Sequence, residues 1–480
     1  MFAQGAKGLI VGLMSAPVAS TQRRTLGLIF LTVFMDIVGF SIIIPLFPHL
    51  LDHYIREGSA GTLIGSLNSA AEWMGGDTVF KKTVLFGGLL STLYSLLQFV
   101  FSPIWGALSD RLGRRRILTI TLAGNALSYL LWIFAAQFWV VVVTRLVSGM
   151  MAGNIAVASA AAADITDEKD RTKGMAVVGI AIGLGFVFGP VIGGLASSVQ
   201  FDTITILNFF GINPDFFQFA HGTFLDSFGI NPFSVPAAIA ASLALLNFLL
   251  VVKFFPETLA PERRASADAK RPSVFDLATV RSAAVRRTSF ANLVYQVAFT
   301  GMENTIVFLT LALFAYSPRD NAWLFLFNGA CMIFAQGLAR QLVKRLGQRK
   351  VVILGMLIAA GAFVCVALIP TPTPTTPSPA WSEGAFYLGL GLISFATGLI
   401  LPSVSALVSL YSGADEQGRN LGILRSAGSL ARVIGPVTAA LLYFHFGSHF
   451  WVYLGGALLM LPAIWIVRGL PDPAVERASA

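Results

Sequence analysis

About twelve runs of nearly uncharged residues, each at least about 18 long, divide this chain, and they leave it few ways to fold. A run of this length, wound as a helix, crosses the roughly 30 Å hydrocarbon core of a bilayer. A helix satisfies its own backbone N–H and C=O groups, which lipid cannot do, so consecutive apolar runs of this kind become membrane-spanning helices. The runs fall at roughly 26–50, 83–108, 116–136, 138–162, 174–198 and 233–254, then at 289–314, 321–343, 350–370, 385–410, 420–444 and 448–468. We number them span 1 to span 12. Only 12% of the residues are charged, against about 25% in soluble domains, which excludes a soluble chain.

The formal charge of +9 would suggest a nucleic-acid partner in a soluble protein. Its placement argues otherwise. If the amino terminus lies inside, inner segments collect about 25 of the 33 Lys and Arg, whereas outer segments hold Arg56, Lys81, Lys82 and Arg319. The expected topology therefore puts both termini in the cytoplasm, in a plasma (inner) membrane, with anionic lipids as neighbours. Residues 1–25 read as a cytoplasmic tail, 26–255 as one six-helix bundle, 256–288 as a polar linker, 289–468 as a second bundle, and 469–480 as a second tail. Cys331 and Cys365 both fall inside spans and read as small apolar fillers, with no disulfide framework and no metal site. Leu63–Met74, in the loop after span 1, reads as an interfacial helix anchored by Trp73.

Charges inside spans are costly and are functional candidates by default. Span 1 carries Asp36, followed by Pro45 and Pro48, which remove backbone hydrogen bonds and predict a bend. Span 4 carries Arg145, span 7 Glu303, and span 11 both Arg425 and Arg432, seven residues and so about two turns apart on one face. Tyr94 and Gln98 stand one turn apart on span 2, and Asn154 follows Arg145 on span 4. The bland alternative is mutual neutralisation: Asp36 with a base on another helix, Arg425 with Glu303, and Arg432 with carbonyls freed by Pro436. If all are charged, three bases face two acids, and the surplus cation suits an anionic ligand; protonating either acid enlarges that surplus.

Between spans 2 and 3 stands Gly106-Ala107-Leu108-Ser109-Asp110-Arg111-Leu112-Gly113-Arg114-Arg115-Arg116. This stretch resembles the signature loop of the major facilitator superfamily, usually written G-x-L-S-D-R-x-G-R-R, with every fixed position filled. The resemblance implies two pseudo-symmetric six-helix bundles around a central cavity. It also gives Gly106, Asp110, Arg111, Gly113, Arg114 and Arg115 a gating role, holding the cytoplasmic side closed while the outside is open. Asp36-x-x-Gly39 with Pro45 and Pro48, and Gly185, Gly189, Pro190, Gly193 and Gly194 on span 5, resemble the drug:proton antiporter branch, the span 5 set being that branch's antiporter motif. Small residues at that spacing also serve plain helix packing. Leu85-Phe86-Gly87-Gly88, Gly301-Met302-Glu303 and Leu424-Arg425-Ser426 look like an animal tetracycline-transporter-like subgroup regarded as organic-anion carriers. A second, degenerate copy of the signature, Lys344-Arg345-Leu346-Gly347-Gln348-Arg349-Lys350, separates spans 8 and 9, with Lys344 where the first copy has Asp110. The cluster at 167–171 before span 5 is paralleled by 415–419 before span 11.

The expectation is a monomeric secondary transporter that exports amphipathic organic solutes, anions favoured, in exchange for protons. Asp36 and Glu303 are the proton-coupling candidates. Arg145, Arg425, Arg432, Gln98, Tyr94 and Asn154 are the substrate-binding candidates. A proton-coupled uptake carrier and a lipid-handling carrier with a laterally open cavity are the alternatives. Neither an enzyme nor a cofactor is expected, since H-E-x-x-H, G-x-S-x-G and nucleotide loops are lacking and all five histidines fall near span ends.

Overall fold

The computed structural model of the protein describes residues 20–57, 62–166, 171–197, 231, 233–259, 280–372, 377–412 and 416–471. The first tail up to residue 19, the acidic part of the cluster at 167–170, the loop 198–230, most of the linker and the tail from 472 lie outside the described residues. Among the described residues twelve helical spans are long and apolar enough to cross a membrane. They are Gln22–Arg56, Val79–Leu112, Arg114–Ile133, Phe138–Asp164, Gly174–Ala196, Ser234–Phe254, Ala283–Phe314, Pro318–Leu346, Gln348–Ala367, Trp381–Leu410, Arg419–Phe446 and His449–Arg468. Several outrun the apolar stretch that marks them. Span 2 runs 34 residues, about 51 Å at 1.5 Å per residue, because its polar last turns continue the helix beyond the hydrocarbon to Leu112.

Two spans are interrupted. Span 1 is helical to Ser41, tightens into a 3-10 turn at Ile44–Leu46 around Pro45, and resumes at Phe47, the bend that proline's missing N–H predicts. Span 4 breaks between Met151 and Asn154. There the Trp105 indole N–H of span 2 donates to the Met150 carbonyl at 2.6 Å. Gly153 lies flat against the same ring, where an added methyl carbon would sit 2.6 Å from Trp105 Cβ. The break is held, not frayed. The short helix Leu63–Trp73 starts on Thr62, whose hydroxyl accepts from the Gly65 amide at 3.2 Å, and its Trp73 is 90% exposed, as an interfacial anchor requires.

The packing repeats itself. Span 1 packs on span 5, span 3 on span 6 and span 2 on span 4; likewise span 7 packs on 11, 9 on 12 and 8 on 10. The two bundles meet through spans 2 and 11 and through spans 5 and 8, pairs that exchange under a two-fold axis.

One face of the molecule carries the signature loop, both ends of the central linker and the end of span 12; we call it the linker face. Near the opposite, far face the bundles touch closely. Gly88 of span 2 lies against Ala440 and the Pro436 carbonyl, and Gly194 of span 5 against the Pro318 carbonyl and Ala322. Ser91 donates to Asn304 Oδ1 at 2.6 Å. Toward the linker face the same helix surfaces part. Pro103, four turns below Gly88, and Arg425, three turns below Pro436, are both exposed. The bundles therefore form a clamp that is shut at the far face and open at the linker face.

Candidate functional site

Between the bundles lies a cavity whose walls come from both. Phe40, Ile43, Ile44 and Phe47 of span 1, Leu90, Ser91, Tyr94 and Ser95 of span 2, Arg145 and Phe186 face Thr300, Glu303 and Asn304 of span 7 and Arg432 and Pro436 of span 11. A contiguous recess reaches Asp36, Gln98, Asn125, Tyr129 and Ile155, and shares Phe40, Tyr94, Phe186 and Arg432 with the main chamber. Phe40 stacks on Tyr94 with ring centroids 4.6 Å apart and meets Phe186 edge-on at 6.0 Å. The chamber is aromatic and aliphatic with a few charges, the lining expected around an amphipathic ligand.

The charges are held differently. Asp36 Oδ1 accepts from the side-chain amides of Asn125 on span 3 and Asn154 on span 4, each at 2.9 Å. Asn154 opens the second half of the broken span 4, so the break delivers that amide to the carboxylate. Arg145 is 2% exposed, yet its Nε and Nη2 have no hydrogen-bond partner. Its guanidinium lies 5.7 Å from the Trp132 ring centroid, a cation–π contact worth about 1 kcal/mol that leaves the N–H fork unused. Arg432 and Glu303 line the same chamber, and the Arg432 Nε is also without a partner. Two guanidinium groups thus reach one chamber from opposite walls with hydrogen-bonding capacity unspent, an arrangement suited to a carboxylate or sulfonate.

At the linker face, the chain turns from span 2 into span 3 at Gly113, whose φ of 98° lies in the region open to glycine. Arg114, 5% exposed, is the hub. Its Nε donates to Asp164 Oδ2 at 2.8 Å, and its Nη1 donates to Ser109 Oγ at 2.7 Å and to Asp110. Its backbone N–H donates to Glu257 Oε1 at 2.9 Å. Arg115 donates to the Val252 carbonyl of span 6. These partners belong to the first bundle and to the first residues after it, so the network ties spans 2, 3 and 4 to the end of span 6.

The sequence matches the Major Facilitator Superfamily profile over residues 29–376 and again over 291–480. The chain belongs to the Major Facilitator Superfamily. It is 31% identical over 485 residues to the mouse (Mus musculus) major facilitator superfamily domain-containing protein 10, covering 95% of both chains. It is 26% identical over 461 residues to the class E tetracycline resistance protein of Escherichia coli, covering 93% of this chain and 95% of that one. The crystal structure of the human organic anion transporter MFSD10 superposes with a TM-score of 0.69 at 28% identity, over 94% of this chain and all of that one.

The remaining residues singled out in the sequence sort by place in this major facilitator fold. Tyr94 and Gln98 line the cavity, as do Asp36, Glu303, Arg145 and Arg432. Asn154 does not; it is fully buried, its side-chain NH2 donates to Asp36, and its Oδ1 has no partner. Arg425 lies outside the cavity lining, exposed two turns nearer the linker face than Arg432. Sharing a helix face does not place both arginines at one depth: Arg432 lines the chamber, and Arg425 lies on the surface that parts toward the linker face. The span 5 glycines face other helices. Gly185, Gly189 and Gly193 lie against Ile37, Ser41 and Ile42 of span 1, and Gly194 against span 8. Ser41 Oγ donates to the Gly185 carbonyl at 3.1 Å across that seam. Gly106 is buried and accepts from Ser109 Oγ at 2.7 Å, while Arg111 is exposed. Sequence reasoning missed Asn125, Asp164 and Glu257. A lone amide within the apolar run of span 3 was the available signal for Asn125.

Proposed function

We propose that this major facilitator protein is a proton-coupled secondary transporter of amphipathic organic anions, with the linker face in the cytoplasm. The observation that carries the reading is Arg145: a buried cation whose Nε and Nη2 lack partners while it lines an aromatic chamber. A guanidinium left so is stabilised by an incoming anion. Arg432 takes the second face of the ligand, and Phe40, Tyr94 and Phe186 take its apolar body. Asp36 and Glu303 are the carboxylates that exchange protons. The printed names of the relatives, an organic anion transporter and tetracycline resistance proteins, support a carrier of organic solutes.

Export by proton antiport is the first reading, supported by the resemblance of spans 1 and 5 to that branch. The Glu303–Arg432 juxtaposition favours a second, proton-coupled uptake. An anion at Arg432 and a proton on Glu303 offset one another's charge within the one chamber, so anion and proton bind together. Proteoliposomes with an imposed pH gradient separate the two. Antiport gives accumulation of the anion on the acidic side, and co-transport gives accumulation on the alkaline side; no response to either gradient overturns proton coupling. Arg145→Gln is expected to weaken an anionic ligand at least about 30-fold, from about 2 kcal/mol, and to spare an uncharged analogue. Equal loss of both ligands overturns the anion site.

A further inference from the structure

The loop between spans 8 and 9 repeats the backbone of the signature loop but not its charges. Gly347 turns the chain at φ 80°, as Gly113 does at 98°. Where the first loop has Asp110 and Asp164, the second has Lys344 and Ser412, by the parallel of 167–171 with 415–419. The Ser412 hydroxyl is engaged with Val408 and Asn420. Lys344, Arg345 and Lys350 are all exposed, and among the described residues none of the ion pairs includes them.

What these cations face follows from the helix surfaces above them. Trp323, Phe327 and Phe334 are exposed on span 8, Phe334 at 64%. They share one face with Arg345, at spacings of four, seven and eleven residues. From Trp323 to Arg345 the helix rises about 33 Å, close to the roughly 30 Å of a hydrocarbon core. Exposed Ile333 stands three turns above Lys344 in the same way. On span 9 Leu357 and Leu368, at 55% and 64% exposed, share a face with Lys350. Two exposed apolar stripes therefore run toward three exposed cations that none of the ion pairs among the described residues includes.

We propose that the span 8–9 loop binds the headgroup of an anionic phospholipid in the linker-face leaflet. The lipid phosphate sits among Lys344, Arg345 and Lys350, and the acyl chains run along the stripes above. The headgroup supplies the negative charge that Asp110 and Asp164 supply in the first bundle. This holds whatever solute the cavity carries.

The test uses the full-length protein in nanodiscs of phosphatidylcholine, with and without phosphatidylglycerol. Thermal stability and retention of bound lipid are measured, the latter by mass spectrometry of the intact complex. Wild type is expected to gain stability from phosphatidylglycerol and to retain it. The triple variant Lys344→Gln/Arg345→Gln/Lys350→Gln is expected to bind it about 100-fold more weakly, from about fivefold per surface cation. All three positions are exposed, and the fold of the variant is checked by helical circular dichroism. Lys350→Gln alone gives a graded loss if the triple variant misfolds, and Arg319→Gln on the far face serves as the charge-matched control. Equal stabilisation of wild type and variant overturns the proposal. So does equal stabilisation by phosphatidylcholine alone, or full reproduction of the effect by soluble inorganic phosphate.

Discussion

The two loops that close the linker-face ends of the bundles have one backbone and opposite electrostatic economies. In the first, Arg114 is buried and spread over Asp110, Asp164 and Ser109, with Glu257 on its amide. In the second, Gln348 takes the place of Arg114, and its Oε1 is buried without a partner. One feature survives in both. Arg115 donates to a carbonyl near the end of span 6, and Arg349 donates to the Leu470 carbonyl just beyond span 12. The tether to the sixth helix of each bundle is thus the common part, and the buried ion network is an addition made only in the first. A turn of this shape needs a glycine and a carbonyl tether; it does not need charge neutralisation to form.

The comparison can be broken in four ways, in falling order of expected effect. Arg114→Ala leaves Asp164, 12% exposed at its side chain, facing no cation. It is expected to cost about 3–5 kcal/mol, read as a fall in melting temperature, whereas Gln348→Ala changes little. Equal costs at the two positions would erase the asymmetry. Asp164→Asn keeps the shape and removes a charge-assisted bond, for about 2 kcal/mol, and Ser412→Ala in the second bundle serves as its quieter counterpart. Arg115→Ala and Arg349→Ala are expected to cost about 1 kcal/mol each; a large difference between them would show that the tether is not shared. Finally, Lys344→Asp with Gln348→Arg writes the first loop's pair into the second. At so exposed a site the gain is expected to stay below about 1 kcal/mol, measured in a double-mutant cycle.

Most of the architecture was legible because a bilayer reads a sequence coarsely: an apolar run of sufficient length becomes a span. The bend at Pro45 and the interfacial helix before Trp73 were legible for equally local reasons. Arg145 was legible as a buried cation, since lipid has no place for it. What stayed hidden depended on partners distant in sequence. Asp164 belongs by position to the acidic stretch that follows it, and it reads as solvated until the fold brings Arg114 to it from fifty residues away. Asn154 read as a ligand residue because its turn along span 4 is undetermined until the helix breaks. That break needs the Trp105 indole from another helix, and only a glycine hints at it. Arg425 and Arg432 share a helix face, which leaves open how deep in the opening between the bundles each of them lies.

The far-face closure carries a consequence of its own. Gly88 and Gly194 meet backbone carbonyls of the opposing bundle with no room for a side chain, and among the described residues no ion pair joins the bundles there. No ion pair has to break for such a seam to open; it is held by close packing, with the His49 ring set against the Tyr316 carbonyl across it at 3.4 Å. A single methyl group placed at Gly88 or Gly194 would act as a wedge, biasing the carrier toward the conformation that the present clamp excludes, and so offers a way to hold that conformation still for study.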